Sequence, residues 1–322
     1  MTTQRVRSSG VTPSPPPGYR HEALLYRGAD DFVTQIADFI HDGLVVDAPI
    51  MVAVGADKIA MLRDALGPES RAVEFVDMEL LGRNPARIIP GWREFIDRHG
   101  ENGLPIRGVG EPIWPGRSAA ELVECQRHEA LLGVAVDPTT PFTLMCPYDV
   151  DGLPPDVISE AIRSHPAPNA AHAGPGSTAS LETLATAFLD APLPEPTAPV
   201  RELEFAAHHL YAVRELVKES ARSAALSLDQ ADDLVLAVSE LATNSVVHAG
   251  GVGTFRVWIE PDRVVCEVRD EGHLVEPLVG RVEPALDEIG NRGVWMVNQL
   301  CDLVQIRVYP SGTVIRVHVR TR

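Results

Sequence analysis

Lysine is almost absent from this 322-residue chain: it occurs only as Lys58 and Lys218, and the remaining basic residues are arginine. Arginine and lysine together number 28 against 45 acidic residues, a formal charge of −17. So acidic a balance argues against the broad basic footprint of a nucleic-acid binder and against docking on anionic membranes. Cysteine is also scarce. Cys125, Cys146, Cys266 and Cys301 are scattered with no CxxC pair, which excludes a disulfide scaffold and fits reduced thiols in the cytoplasm. No apolar run reaches the roughly 20 residues that span a bilayer. The first 18 residues, MTTQRVRSSGVTPSPPPG, carry basic residues but no apolar core. We therefore expect a disordered leader there, no secretory signal and a cytoplasmic protein.

What the chain does have is 45% hydrophobic content and a length that predicts two domains. From 19 to 165 the pattern alternates. Short strands are predicted at 23–26, 50–54, 73–76, 105–109 and 142–146, with helices at 31–42, 58–66, 85–99, 119–132 and 155–163. Such alternation predicts an α/β domain with a doubly wound, mainly parallel sheet. Residues 166–200 are rich in Pro and Ala and read as a linker with one helical stretch at 181–189. The second domain, 201–322, is predicted to open with a helix over 205–220, followed by a helix over 231–248 with Ser227 and Asp229 as N-cap candidates. Strands at 254–259 and 263–269, a loop, a short helix at 293–301 and strands at 304–309 and 313–320 complete it. Clustered antiparallel strands with helices set aside make this half an α+β sandwich.

The stretch AVSELATNSVVHAG, residues 237–250, puts Glu240, Asn244 and His248 in one stripe, because residues at i and i+4 share a helix face. An asparagine oxygen can coordinate a hard cation, and a nearby carboxylate can take a proton from a hydroxyl. The same stripe would also serve as a solvated polar flank. In VRDEGHL, Asp270 and Gly272 follow a strand; such an aspartate can accept from an adenine amino group, and the glycine lets backbone approach the ring. In IGNRGVWMVNQL, Gly290, Arg292 and Gly293 open a helix whose free N–H groups suit phosphate.

In this order and spacing, residues 201–322 resemble the Bergerat (GHKL) ATP-binding fold of gyrase, histidine kinases and anti-sigma-factor serine kinases. Glu240 and Asn244 match its N-box, Asp270 and Gly272 its first glycine box, and Gly290, Arg292 and Gly293 its second. Thr313, in SGTVIRV, matches the threonine that completes the adenine site. The resemblance implies bound ATP and magnesium, with Asn244 holding the metal, Glu240 as general base and Asp270 reading adenine; His248 extends the same stripe. One position departs from the family pattern: the last glycine of the first box is Leu274. The short loop and the wording RGVWMVNQLCDLVQI are close to the anti-sigma group.

Residues 19–165 resemble the MEDS sensory domain, through HEALLYRGADDFV, EPIWPGR and CPYD. VAVGADKIAML lacks the GK[ST] ending of a phosphate loop, so no ATP is expected there. Ligands of open α/β sheets lie beyond the carboxyl ends of the strands, which nominates Arg27, Gly55, Asp77, Glu111, Trp114, Arg117, Cys146, Tyr148 and Asp149. Trp114 would either cap an apolar ligand or pack a loop. Cys125 and Cys146 read as buried inert thiols, and His128 with Glu129 as a helix-surface pair rather than a metal site. RHEALL occurs twice, at 20–25 in a predicted strand and at 127–132 in a predicted helix, which marks coincidence rather than duplication.

The two resemblances together imply a cytoplasmic switch in stress-linked transcription regulation. It would bind a sigma factor or an anti-anti-sigma STAS-domain protein and phosphorylate a partner serine. A small molecule at the first domain would set its state, and homodimerisation is compatible. Two other functions stay open. One is a non-catalytic anti-sigma binder. The other is a sensor histidine kinase, for which His208 and His209 are the acceptors placed ahead of the ATPase module.

Overall fold

The computed structural model describes residues 18–100, 103–165, 192–274, 276–284 and 292–321. The proposed leader up to residue 17, most of the linker with its 181–189 helix, and Gly290 lie outside them. Among the described residues two five-stranded sheets form, and no helix is long and apolar enough to cross a membrane.

The first sheet contains β1 (Arg20–Tyr26), β2 (Ile50–Val54), β3 (Val73–Asp77), β4 (Ile106–Gly110) and β5 (Phe142–Asp149) in the order β1-β5-β4-β2-β3. Every pairing is parallel. The five residues of β2, IMVAV, are all buried, as expected of a strand covered on both faces. One face packs against α1 (Gly28–Leu44) and α2 (Ala56–Leu66) through Phe32, Ile36, Ile40 and Leu62. The other packs against α4 (Ile88–His99), α5 (Ala119–Ala135) and α6 (Pro155–Ser164) through Trp92, Phe95, Leu131 and Val157, with the single turn α3 (Met78–Leu81) beside them. The predicted elements all form, each within a few residues of its expected bounds.

The second sheet contains β6 (Arg201–Ala206), β7 (Val252–Glu260), β8 (Arg263–Asp270), β9 (Leu303–Tyr309) and β10 (Gly312–Arg320), antiparallel in the order β6-β7-β8-β10-β9. Helices α7 (Leu210–Ser223), α8 (Leu228–His248) and α9 (Arg292–Leu300) cover one face. Here one expectation fails. The helix predicted from 205 begins only at Leu210, and Phe205 belongs to strand β6, paired with Gly253. Leu203 and Phe205 alternate onto the sheet, and the Phe205 ring lies 2.5 Å from where a Gly253 side chain would begin. A two-residue period therefore governs this stretch, and the helical stripe starts after it.

The outer face of the second sheet is not left to solvent. Gln305, Arg307, Arg316 and His318 are all buried there. Helix α5 of the first unit lies over it: Arg307 meets Glu124 at 2.8 Å, Arg320 meets Glu121, and Arg127 reaches the Ile306 carbonyl at 3.4 Å. Arg87 caps the other end of the contact. Its guanidinium donates to the carbonyls of Asn298, Gln299 and Cys301, the orphan acceptors at the C-terminal end of α9.

Candidate functional site

Ser227 starts α8 with a capping box, its hydroxyl accepting from Gln230 N and Gln230 reaching back to Ser227 N. From there Leu234, Val238, Leu241 and Ser245 fall on the buried face. Glu240 and Asn244 flank that face half-buried, and His248 is exposed at the helix end.

Asn244 and His248 open onto a cavity of about 320 Å³ whose other polar side chains are Asp270, His273 and Thr313, with Gly272 on its wall. Its walls are apolar: Leu241, Val268, Leu274, Val279, Val294 and Ile315. A slot with greasy walls and few polar groups suits a flat heteroaromatic ring. Asp270 ends β8 and sits opposite Thr313 of β10 in the ladder. One carboxylate oxygen accepts from Gly272 N at 2.9 Å and the other from the Ser245 hydroxyl at 2.6 Å. Thr313 donates its hydroxyl to the Gly272 carbonyl at 2.7 Å and accepts from Leu274 N at 3.3 Å. The carboxylate is therefore held in one orientation, with lone pairs left over for a donor in the cavity.

Two glycines make the close approaches. A β-carbon on Gly272 would stand 2.7 Å from the Ala249 side chain. One on Gly293 would stand 2.9 Å from the Asn244 amide nitrogen and 3.4 Å from a Glu240 oxygen. The start of α9 thus lies directly against Asn244 and Glu240, with Arg292 as its first residue, exposed. Glu240 does not line the cavity; it faces Gly293 beside it. Gly290 lies outside the described residues. The donor set fits a nucleotide with a hard cation: an amide oxygen on Asn244, a helix start that Gly293 brings close to Asn244, and a fixed carboxylate at the slot.

Ser245 escaped the sequence reading as a polar partner, because its place on the buried face made it look like core. A hydroxyl one residue after Asn244, on the apolar face, was the available signal. The segment beyond Leu274 was also missed. Val279 lines the cavity, Leu278 packs against the core of the first unit, and Arg281 approaches the Pro85 carbonyl at 3.4 Å. His208 and His209, the acceptors of the histidine-kinase alternative, sit in a single 3-10 turn after β6, and His209 Nδ1 accepts from Ala206 N.

The sensory candidates of the first unit separate into four places. Arg27 is on the surface, paired with Asp151. Asp77, Trp114 and Arg117 share a cleft of about 240 Å³ with Glu79, Arg83, Glu121 and, from the second unit, Arg320. There Arg117 stacks 3.6 Å above the Trp114 ring and donates to the carbonyls of Gly82 and Pro112. Burial pulls the Arg117 guanidinium below its ordinary pKa. Glu111 is buried where the strand order reverses between β2 and β4, accepting from Tyr26 Oη at 2.9 Å and from Lys58. Burial raises its pKa, against the pull of Lys58. Cys146 and Tyr148 lie in the core beneath α5 and α6.

His128 and Glu129 correct the surface-pair expectation. They are 1% and 3% exposed, because α5 is covered on one side by its own sheet and helices and on the other by the second unit. Cys125 and Cys146 are buried free thiols.

Residues 20–166 match the family model of the MEDS domain, described as the methanogen/methylotroph DcmR sensory domain. Residues 203–319 match that of the histidine kinase-like ATPase domain. The chain is 39% identical over 62 residues to the anti-sigma F factor of Clostridium acetobutylicum, an alignment that covers 18% of this chain and 43% of that protein. It thus spans less than half the length of the curated relative it matches. Among solved structures, the RsbU and RsbW domains of a Mycobacterium tuberculosis protein are similar at 19% identity and a TM-score of 0.29, over 38% of this chain and 33% of that one.

Proposed function

We propose that this chain, a MEDS sensory domain followed by a histidine kinase-like ATPase domain, is a regulatory switch of the anti-sigma type that binds ATP with magnesium and phosphorylates a serine of a STAS-domain partner. The observation that carries the reading is the meeting of Asn244, Asp270, Gly272 and Thr313 at one apolar slot, with Gly293 and Glu240 against its edge. The local likeness to an anti-sigma factor supports the partner class.

Each side chain then has a task. Asp270, locked by Ser245 and Gly272, accepts from the adenine amino group, and the apolar walls clasp the ring. The α9 N-terminus and Arg292 receive the phosphates. Asn244 offers its amide oxygen to magnesium, which when bound neutralises phosphate charge. Glu240, half-buried beside Asn244, takes the proton from the attacking serine hydroxyl. Control from the first domain would pass through α5, whose Glu124 meets Arg307 of β9 and Arg281 of the loop that follows Val279.

A non-catalytic binder is the second reading, and one observation favours it. Leu274, in place of the family glycine, packs on the core and has its N–H held by Thr313, which tethers the cavity rim. Incubation with labelled ATP and a panel of STAS-domain proteins separates the two. Transfer that disappears in Glu240→Ala supports the kinase; nucleotide binding with no transfer to any partner supports the binder. Calorimetry tests the slot itself. Asp270→Ala removes a charge-assisted hydrogen bond of about 1.5–3 kcal/mol, so ATP affinity should fall roughly tenfold to more than a hundredfold. Unchanged affinity would refute the adenine assignment.

A further inference from the structure

A cluster in the first unit is separate from the nucleotide slot and from the cleft at Trp114. His21 on β1, Cys146 on the adjacent strand β5, Glu129 on α5 and His165 at the end of α6 bring their ligating atoms within 4.8 Å of one another. His21 pairs in register with Leu144, two residues before Cys146, so both side chains leave the same face of the sheet. The two helices covering that face supply the other two groups. His21 Nε2 stands 3.1 Å from Cys146 Sγ and 3.0 Å from Glu129 Oε2; His165 Nε2 stands 3.2 Å from that oxygen and 3.0 Å from His21 Nε2.

These atoms satisfy one another only in part: His21 Nε2 lies within hydrogen-bond distance of Cys146 Sγ and of His165 Nε2. Both Glu129 oxygens are buried and neither accepts an aligned hydrogen bond. His165 Nδ1 is engaged by the Ala161 carbonyl at 2.8 Å. That bond fixes its proton on Nδ1 and turns the Nε2 lone pair inward, the outer-shell arrangement of a metal-bound imidazole. A buried carboxylate without an aligned donor, ringed by a thiol and two converging imidazole nitrogens, is costly unless a cation sits among them.

We propose that His21, Glu129, Cys146 and His165 form a four-ligand site for a divalent transition metal of the zinc class. Thiolate and imidazole ligands select such an ion over magnesium or calcium. Zinc bond lengths of 2.0–2.3 Å imply ligand-to-ligand edges of about 3.3–3.6 Å, slightly longer than the four contacts of 3.0–3.2 Å and within the 4.8 Å that bounds the whole set. With one thiolate, one carboxylate and two neutral imidazoles, the divalent site is electrically neutral, which suits its burial. The adjoining void, between Glu129 and Tyr148, is only about 10 Å³. The site is therefore closed, of the structural or sensing kind rather than one with an open catalytic position. The His of the first RHEALL, His21, thus meets the Glu of the second, Glu129.

The test uses the full-length chain, stripped with chelator and reloaded with zinc or cobalt. Elemental analysis should find one ion per chain. The cobalt form should show tetrahedral ligand-field bands and a thiolate-to-cobalt charge-transfer band. Cys146→Ser should lose that charge-transfer band, while Cys125→Ser, a buried thiol outside the cluster, keeps it. His165→Ala should weaken metal affinity by more than about a hundredfold, beyond what outer-shell partners contribute. Folded wild type that takes up no stoichiometric metal, or shows no charge-transfer band with cobalt, overturns the proposal without recourse to any variant. A band that persists in Cys146→Ser overturns it as well.

Discussion

Glu124→Gln tests the contact between the two units. Glu124 is completely buried, and three guanidiniums surround its carboxylate: Arg307 at 2.8 Å, Arg127 at 3.6 Å and Arg281 at 3.6 Å. Arg307 and Arg281 come from the second unit, so one carboxylate compensates charges on both sides of the interface. Glutamine keeps the shape and an acceptor oxygen but removes the negative charge. The buried guanidiniums of Arg127 and Arg281 then lose the carboxylate they share with Arg307. Breaking a buried ion pair by removing one partner costs about 3–5 kcal/mol, and the isosteric change places Glu124→Gln in that range. Arg281 is the weakest point, its pKa already pushed down to about 9 by burial and by the neighbouring Arg127. Urea is the right denaturant, because it adds no ions to screen the charges. With a slope of about 3 kcal/mol per molar, the unfolding midpoint should fall by roughly 1 M or more. Arg281→Gln in the Glu124→Gln background should recover part of the loss, since it removes one uncompensated charge. A change below about 1 kcal/mol would refute the reasoning, because a solvated surface pair contributes no more than that.

The other predictions concern the slot, acid stability and the strand that replaced a predicted helix. Gly293→Ala should leave the fold intact but push the Asn244 side chain aside, lowering Mg-ATP affinity about tenfold, or 1.4 kcal/mol, by calorimetry; equal affinity would separate Gly293 from the phosphate end. His318 has its pKa lowered to about 3 by burial and by Arg263 and Arg316. Above pH 6.5 it is neutral folded or unfolded. Between 6.5 and 3 only the unfolded chain takes the proton, so stability falls as pH drops, by about 2.7 kcal/mol at pH 4.5. His318→Gln should remove that share of the loss between urea midpoints at pH 7 and 4.5; identical pH dependence in the two proteins would contradict it. Phe205→Ala empties a site that is 2% exposed beneath Gly253 and should destabilise the second unit by about 3–5 kcal/mol, read from its urea midpoint. A shift below 1 kcal/mol would argue against the β6 pairing.

Local pattern carried the element assignments wherever one period ran uninterrupted. The run IMVAV and the stripe Leu234, Val238, Leu241, Ser245 are unambiguous within a few residues. RELEFA is not: its Arg201 and Glu202 are exposed at a sheet edge, and the alanines and histidines that follow prolong a helical pattern. Only the pairing with β7 decides that it is a strand. In the same way Asn244, Asp270, Gly272 and Thr313 were nameable from short spacings, because each is set by one helix turn or one strand end. The bonds that tie them, Ser245 to Asp270 and Thr313 to Gly272, depend on which residues of β8 and β10 stand opposite. Register is not written in any single segment.

By itself, then, the sequence determined the two alternating and antiparallel halves, the polar stripe on α8 and the glycines that open the slot, since all of these follow from backbone period and steric size over a few residues. The tertiary structure alone decided that the outer face of the second sheet is buried under α5, that Glu124 is shared by arginines of both units, and that His21, Glu129, Cys146 and His165 meet. Those groups are separated by up to 183 residues. Contact at that range has no local signature, because it is fixed by the packing of whole elements rather than by the residues between them.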